Sequence, residues 1–600
     1  MSIFLNQKFY KEYFWPFFIF SLFAVSFFIS ALVPSFQSPD ENDHVKRAYL
    51  LSKGQILVET PLNGSSGGSI DAGLLSYMQA YEILNFKAAR KLSADEIYDA
   101  NQIQWSGTQS FSPTHGISYN FPLIYAPQAI AISIGKYANF SISNSYLLAR
   151  FFALTFSCLI LLWAFRIHPP DFLIASLLII PMSLFQFGAA SIDGISTALT
   201  ILVISLFLRI SKDGINYRPS DLYILFISTA LICTCRSHLL PILLLLFATY
   251  FYTKDKKCLL LGFLASLIAL SWLIFVFKTT IDKNQLSGLA PTLILQYYLS
   301  HPIEYLTVLI NTLTDFSITK AYFTSFIGVL GWLDTSFPKE IYLVIGTLLC
   351  LIFIFSLSRN FFRDWTLAKF LLCICSFFSL LIIFSALLFT FTVHPAKVIM
   401  GVQGRYFLLP IILLAYAIQD TGRDVYYTQY NIIKNAGLFL LILLFLYSGY
   451  QTERILLHRY FIASETTLNR ELKYAPSALP KKNEAIELNF LKRQTIRPAK
   501  LKGISILFTK LNTTIVGLAE LQLMTQGNEL KKIPFNTSSI VPNTYTYFPL
   551  NEKAYISGKI ISPMGGGLQV MESTIDNQTV YSCIIYELDD GTRRYTVGCP

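Results

Sequence analysis

The chain has 600 residues, of which 53% are hydrophobic and only 14% are charged, and its mean hydropathy is +0.50. This composition excludes a soluble globular protein of this size, and recurring apolar runs of about 20 residues indicate a multi-pass helical membrane protein. The formal net charge of +11 does not indicate a nucleic-acid partner, because most basic residues lie in short loops between apolar segments or in the C-terminal tail.

Eleven apolar segments are predicted to span the membrane. Lys8 and Lys11 precede the first segment, which predicts a cytoplasmic N-terminus. If residues 119–137 form an interfacial helix rather than a span, five basic loops lie in the cytoplasm and the C-terminus lies outside. The predicted spans are residues 14–34, 145–166, 171–190, 194–210, 221–235, 239–252, 258–278, 340–358, 369–391, 404–420 and 433–452.

The domain boundaries follow changes in composition. Residues 1–452 form the predicted transmembrane domain, with outer loops at 35–144, 279–339 and 392–403. Residues 453–500 are rich in charge and are predicted to be a linker. Short β-rich runs separated by turn residues predict a small all-β, sandwich-like extracytoplasmic domain over residues 501–600. Cys583 and Cys599 fall in or beside its last two predicted strands, which predicts a disulfide on the outer face.

The densest group of charges next to a predicted span follows the first apolar segment. Three carboxylates, one histidine and two cations lie within residues 40–47. Ser38 and Glu41 have the spacing of a capping box, in which Ser38 is the N-cap and Pro39 is the first helical residue. On spacing alone, this structural explanation is as good as a catalytic one.

A helix that begins at Pro39 would place Asp40, His44 and Arg47 on one face at the outer mouth of the first span. A carboxylate at that level can take a proton from a sugar hydroxyl. It can equally hold a divalent metal with its neighbour Glu41. The sequence leaves both roles open.

Other ionisable residues are predicted on the same outer face. Asp193 lies in a short hairpin between two spans, where Asp-Gly is also a common turn. Arg236 and His238 lie between two short spans, where they are either functional or extend to the interface. Lys397 and Arg405 flank the last outer loop, and they either bind a lipid phosphate together with Arg236 and His238 or anchor the interface.

Trp332 and Asp334 close the second large outer loop. They either stack on and hydrogen-bond a sugar ring or belong to an interfacial aromatic belt. The sequence contains no Walker motif, dinucleotide fingerprint, paired-cysteine metal motif or His-Glu-x-x-His motif. The predicted inner loops are too short for a nucleotide-sugar domain, so a lipid-linked donor on the outer face fits better.

Four motifs together resemble a bacterial family of multi-pass membrane proteins of unknown function, which is similar in layout to the GT-C glycosyltransferases. The resemblance covers residues 10–450. The motifs are Pro39-Asp40-Glu41 with His44 and Arg47, Tyr119-x-x-Pro122-Leu-x-Tyr125-x-Pro127-Gln128-Ala129, Phe326-Ile-Gly328-Val-Leu-Gly331-Trp332-Leu-Asp334-Thr335, and Gln403-Gly404-Arg405-Tyr406-Phe407.

This resemblance implies a GT-C-like fold in the bacterial inner membrane and an inverting transfer from a polyprenyl-phosphate sugar donor to a glycan or lipid acceptor on the outer face. It implies that Asp40 is the base, with Glu41 as its competitor. It also implies that Arg405, Lys397 or Arg236 stabilises the leaving phosphate. The alternatives are a transporter or flippase of lipid-linked saccharide and a non-catalytic scaffold.

Overall fold

The computed structural model describes the chain apart from residues 1–9, 63, 88–89, 284–286, 288, 358–365, 420–427, 462–471, 478–483, 491–499, 511–516, 526–528, 553–554, 562–567, 576–578, 590–592, 597–598 and 600. The chain forms two compact units. The first comprises Met1–Ala88 and Asp99–Tyr460, and the second comprises Ala89–Tyr98 and Phe461–Pro600.

In the part of the chain up to Tyr460, the apolar segments are helical, because a helix satisfies its own backbone polar groups in an apolar environment. Its helices are α1 (Trp15–Leu32), α2 (Glu41–Ser52), α3 (Ala72–Glu82), α4 (Ala94–Asn101), α5 (Ala126–Tyr137), α6 (Ile142–Ile167), α7 (Phe172–Leu178), α8 (Pro181–Phe187), α9 (Asp193–Asp213), α10 (Pro219–Cys235), α11 (Leu243–Thr253), α12 (Lys257–Thr279), α13 (Pro291–Ser300), α14 (Pro302–Thr314), α15 (Phe316–Gly328), α16 (Lys339–Ser356), α17 (Leu367–Thr390), α18 (Leu408–Ile418) and α19 (Thr428–Tyr460).

Short elements connect these helices. Four-residue 3-10 turns precede α5 at Pro122–Tyr125 and α18 at Gly404–Phe407. Two antiparallel strand pairs lie in the predicted outer loops. They are β1 (Gly67–Asp71) with β2 (Gln109–Pro113), and β3 (Val329–Leu330) with β4 (Thr335–Ser336).

Seven helices among the described residues are long and apolar enough to cross a membrane. They are Glu12–Leu32, Ile142–Ile167, Asp193–Asn216, Lys257–Thr279, Lys339–Ser356, Leu367–Thr390 and Asn435–Tyr460. The predicted spans at 221–235, 239–252 and 404–420 correspond to shorter apolar helices, Pro219–Cys235, Ser237–Thr253 and Gly404–Ile418. The polytopic helical fold is therefore as predicted, while the count of eleven spans stays a prediction.

The prediction of one continuous span over residues 171–190 is wrong. That segment forms α7 and α8, which have seven residues each, and every one of those residues is buried. Pro181 is the first residue of α8, and a proline cannot continue a helix because it has no backbone N–H to donate. The segment is apolar because it lies inside the protein, which hydropathy alone does not distinguish from a lipid-facing span.

The second unit is a β-sandwich with two antiparallel sheets. One sheet has the strand order β13-β12-β7-β14-β15, with β10 also pairing with β7 and β5 with β12, and the other has the order β6-β11-β8-β9. The strands are β5 (Leu472–Pro476), β6 (Ala485–Leu488), β7 (Leu501–Lys510), β8 (Leu518–Thr525), β9 (Leu530–Asn536), β10 (Thr544–Glu552), β11 (Tyr555–Ile561), β12 (Leu568–Ile575), β13 (Thr579–Ser582), β14 (Ile584–Leu588) and β15 (Arg593–Tyr595).

Side chains from both sheets form one apolar core, which includes Ile504, Leu521, Ile560 and Ile584. Alternating inward-facing residues of this kind are what a sandwich requires. A disulfide joins Cys583 to Cys599.

The start of this unit differs from the predicted boundary. The predicted linker, residues 453–500, contains the end of α19 and the strands β5 and β6. In β6, Ile486 and Leu488 are buried while Glu487 is exposed. The charges that suggested a linker therefore alternate with core residues, as they do in any strand with one solvated face.

The orientation of the bundle gives the first testable prediction. Truncation fusions after Asn216 should show no activity of an alkaline phosphatase reporter, which is active only outside the cytoplasm, whereas fusions after Pro338 should be active. The physical reason is the excess of basic residues in the loop between α9 and α10. Phosphatase activity at position 216 would reverse the predicted orientation.

Candidate active site

The segment after α1 is held in an unusual backbone conformation. Asp40 is the N-cap of α2 and has a φ of +62°, a region that residues other than glycine visit rarely. The predicted helix start at Pro39 is therefore wrong, because α2 begins two residues later at Glu41. The predicted reach-back of Glu41 does occur, since the backbone N–H of Ser38 donates to Glu41 Oε2 at 3.3 Å.

A buried arginine on α6 fixes this segment. Arg150 Nη1 donates to the carbonyls of Ser30 and Val33 at 2.9 and 2.7 Å, and Nη2 donates to the carbonyl of Pro34 at 3.1 Å. Its Nε and Nη2 also donate to the two carboxylate oxygens of Glu41, both at 3.0 Å. One guanidinium thus binds the carbonyl end of α1 and the first residue of α2.

Glu41 is enclosed by this arrangement and lies outside the candidate active site. Its side chain has no exposed area, and Oε1 also accepts from the backbone N–H of Ala190 at 2.7 Å. Burial acts to raise the pKa of Glu41, but the charge and hydrogen bonds of Arg150 outweigh it, and the pKa lies below its ordinary value. The structure therefore gives Glu41, predicted as an alternative base, a structural position.

Three charged side chains converge beside Asp40, two from predicted outer segments and one from the N-terminus of α9. Arg405 Nη2 donates to Asp40 Oδ2 at 2.9 Å, and Arg405 Nη1 lies 3.9 Å from Asp193 Oδ2. Arg236 donates to the other oxygen of Asp193 in a close ion pair. Gln403 Oε1 accepts from Arg405 Nε at 2.7 Å and so orients the guanidinium.

His44 lies one helical turn after Asp40, at the same cluster. Its Nδ1 is 2.8 Å from the hydroxyl of Tyr125, which also accepts from Asn120 Nδ2 at 3.1 Å. Burial lowers the pKa of His44 from its ordinary value of 6.5 to about 4, against the opposing effect of the carboxylates of Asp193 and Asp40. His44 is therefore neutral at pH 7.

A small cavity lies beside Asp193, Arg236 and Arg405. Its volume is about 20 Å³, which is room for one water molecule. The Nε2 atom of His238 is buried there and has no hydrogen-bond partner within the described part of the chain. The cavity is lined by Gln186, Asp193, Thr197, Arg236, His238, Arg405, Tyr406, Leu408 and Leu409.

The residues present do not fit a divalent metal at Asp40 and Glu41. The two carboxylates bind different guanidinium groups, those of Arg405 and Arg150. Within the described ranges, no three histidine, cysteine or acidic side chains are arranged to hold a metal ion.

Arg47 and Lys397 were both predicted to lie in the site, but they have other surroundings. Arg47 is completely buried, and its Nη2 donates to the carbonyl of Ile56. Lys397 is exposed, and its ammonium group forms no ion pair with a described residue. The described hydrogen bond of Arg47 thus goes to the segment after α2 and not to Asp40 or His44, with which its helical spacing predicted a shared face.

Trp332 and Asp334 hold protein segments in place. Trp332 Nε1 donates to the carbonyl of Phe36 at 2.9 Å, immediately before the strained turn at Asp40. Asp334 accepts from Arg459 at 2.9 Å in an ion pair whose side chains are 8% and 3% exposed. Both contacts are internal, so the polar groups of both side chains are engaged within the protein. Stacking of the Trp332 ring on a sugar stays a prediction.

Arg150 is the important residue that the sequence analysis missed. A signal was present, because it is an arginine inside the predicted span 145–166, where a charge is costly and needs a partner. Tyr125 belongs to the second of the four motifs, but the sequence alone predicts no role for it at the active site. Its contact with His44 joins residues 81 positions apart, which no local pattern reveals.

Glu41→Gln should destabilise the protein strongly. The substitution leaves the guanidinium of Arg150 buried without its counterion, and removal of one partner of a buried pair costs about 3–5 kcal/mol. Thermal unfolding of the purified protein in detergent measures the effect. The exposed Glu304 is the matched control, and an equal loss of stability in Glu304→Gln would contradict this role of Glu41.

The depressed pKa of His44 predicts acid sensitivity. Between the unfolded pKa of 6.5 and the folded pKa of about 4, the unfolded chain binds the extra proton, so stability is lost as the pH falls through this range. The loss should reach about 3 kcal/mol. His44→Gln should remove this component of a pH-dependent unfolding series, whereas the exposed His301 changed to Gln should not.

Comparison with known proteins identifies the family. The sequence profile of DUF2142, described as a predicted membrane protein, matches residues 20–415. A search of curated proteins finds no match. Among solved structures, the cryo-EM structure of the arabinosyltransferase EmbB from Mycobacterium smegmatis aligns with a TM-score of 0.20 and 10% sequence identity, over 85% of this chain and 64% of EmbB. The chain thus spans less than two thirds of the EmbB chain. From the profile match over most of its length, the chain belongs to the DUF2142 family of predicted membrane proteins.

Proposed function

We propose that the protein is a membrane glycosyltransferase of the GT-C type, which transfers a sugar from a polyprenyl-phosphate-linked donor to a glycan or lipid acceptor on the outer face of the bacterial inner membrane. The observation that carries this proposal is the contact between the half-exposed carboxylate of Asp40 and the buried guanidinium of Arg405. It supplies a base and a phosphate-binding group side by side.

The reaction assigns one task to each group. The acceptor hydroxyl oxygen attacks the anomeric carbon of the donor while its proton passes to the carboxylate of Asp40. The bond between the anomeric carbon and the phosphate oxygen breaks, and its electron pair leaves with the phosphate. Attack opposite the leaving group inverts the anomeric centre.

Arg405 and Arg236 stabilise the charge that develops on the leaving phosphate. Guanidinium groups bind phosphate through two parallel hydrogen bonds and remain charged at every relevant pH. Both arginines line the cavity with His238. Arg405 precedes α18 and Arg236 directly follows α10, so both lie at helix ends.

The backbone at Asp40 supports a functional role for this residue. A φ of +62° is a conformation that persists in a non-glycine residue only when its surroundings impose it, and such residues concentrate at active sites. The ion pair of Arg150 with Glu41, the residue after Asp40, constrains the backbone there. Asp40 is therefore the stronger candidate for the base, and Glu41 is the structural neighbour.

The same geometry argues against a transporter. Transporters bind their substrates near the middle of the membrane between broken helices. Here Asp193 is the first residue of α9 and Arg236 directly follows α10, so the charges gather at one end of the bundle. A scaffold would have no use for four charges gathered in one place, of which Arg405 is 6% exposed and Asp193 is 14% exposed.

Asp40→Asn should abolish transfer while leaving the fold intact, because asparagine adopts positive φ as readily as aspartate. Loss of a general base costs about 10²–10⁴-fold in rate. The measurement is the surface polysaccharide of the native host, together with the amount of membrane-inserted protein.

Glu304→Gln is the control, because it neutralises an exposed carboxylate outside the site. An unchanged glycan in the Asp40→Asn strain would refute the proposed catalytic role.

A further inference from the structure

Each of the four charged side chains at the site has a neighbour of opposite charge. The order is Asp40, Arg405, Asp193 and Arg236, joined by contacts of 2.9 Å, 3.9 Å and one close ion pair. Two carboxylates and two guanidinium groups sum to zero formal charge, and His44 is neutral. An incoming anion therefore finds no unpaired cation among these four residues, and it must replace one of the carboxylates.

Exposure determines which carboxylate can leave. The side chain of Asp40 is 49% exposed, whereas that of Asp193 is 14% exposed. A half-exposed carboxylate that leaves its partner is hydrated at once, so its release costs little. Arg405 is only 6% exposed, and without Asp40 its remaining carboxylate is Asp193 at 3.9 Å, which already pairs with Arg236. A buried guanidinium that loses its close partner is unfavourable. Asp40 can therefore leave only if another anion replaces it.

We propose that the phosphate of the donor replaces Asp40 at Arg405 and thereby frees Asp40 to accept the proton of the acceptor hydroxyl. This inference rests on the proposed function, and it assigns the specificity for the donor to the ion pair of Asp40 and Arg405. A donor without an anionic group at its anomeric oxygen leaves Arg405 bound to Asp40, and the base stays occupied. The pair therefore selects phosphate-linked donors over uncharged ones.

The surroundings of Arg405 suit a phosphate in that place. Gln403 accepts from Nε, so both terminal nitrogens of the guanidinium can face an anion. The buried Nε2 of His238 lines the same cavity and has no partner in the part of the chain that the structure describes. The 21-residue helix α9 begins at Asp193, and the positive end of its dipole adds to the field.

The size of the cavity favours replacement of Asp40 by the phosphate over binding of the phosphate in the empty cavity. A volume of about 20 Å³ holds one water molecule, which is less than a phosphate group needs. Because Arg405 lines the cavity and binds Asp40 through Nη2, a phosphate at Arg405 needs the place of the Asp40 carboxylate as well. Binding of the phosphate and release of the base are then one event.

The test measures the affinity of the full-length protein in nanodiscs for farnesyl phosphate, with farnesol as the uncharged probe. Asp40→Asn should bind farnesyl phosphate about threefold to tenfold more tightly than the wild type, because the competing charge at Arg405 is lost. Arg405→Gln should bind it at least about tenfold more weakly. Affinity for farnesol should be the same in all variants.

Glu304→Gln is the control for a general change in charge, because it neutralises an exposed carboxylate outside the site. Its affinity for farnesyl phosphate should change less than twofold. Equal tightening in Glu304→Gln and Asp40→Asn would overturn the exchange, and so would an unchanged or weaker affinity in Asp40→Asn.

The polysaccharide assay separates this inference from the proposed function. If Asp40→Asn binds farnesyl phosphate more tightly but still supports normal glycan, the exchange is correct and the role of Asp40 as base is wrong. If Asp40→Asn is inactive and its phosphate affinity is unchanged, the base remains and the exchange is wrong.

Discussion

The geometry of this protein depends on the hydrogen bonds of one buried group, the guanidinium of Arg150. It binds three carbonyls at the end of α1 and both oxygens of Glu41. Glu41 in turn accepts from the backbone of Ala190, three residues before Asp193. One buried side chain on α6 therefore connects α1, α2 and the segment that leads into α9.

A buried ion pair contributes little net stability to a fold, but it fixes the relative positions of its two side chains. Desolvation of the two charges offsets much of their attraction, and the remaining benefit depends on how completely the donors and acceptors are satisfied. Arg150 makes five hydrogen bonds, which is the number that its N–H groups can donate. Such a saturated pair has few alternative arrangements, which suits a segment that must hold Asp40 at positive φ.

The two carboxylates at positions 40 and 41 show how neighbouring residues acquire different roles. Glu41 faces into the protein and has no exposed area, whereas Asp40 is half exposed and contacts Arg405. A helix start places consecutive side chains in different directions, and the positive φ at Asp40 increases the difference. One residue then stabilises the fold while the next is available to a ligand.

The sequence was sufficient to place Asp40, Asp193, Arg236 and Arg405 at one end of the bundle. Each lies next to the end of an apolar segment, and the basic loops determine which end of each segment is outside. The counterion of Glu41 could not be predicted, because Arg150 lies 109 positions along the chain and no local pattern links the two.

The break at Pro181 was visible in the sequence, but a hydropathy window averages across it. The β5 and β6 strands were missed because their exposed charges dominated the local composition.

The length of α6 has a consequence for the depth of the site. Its 26 residues extend about 39 Å at 1.5 Å per residue, whereas the hydrocarbon layer is about 30 Å thick. If Ile167 lies at the inner boundary, the outer boundary falls about 20 residues earlier, within one turn of Arg150. Arg150 then lies about 5 Å inside the hydrocarbon layer, where water is scarce, and its five hydrogen bonds to α1, Pro34 and Glu41 satisfy every N–H of the guanidinium without water.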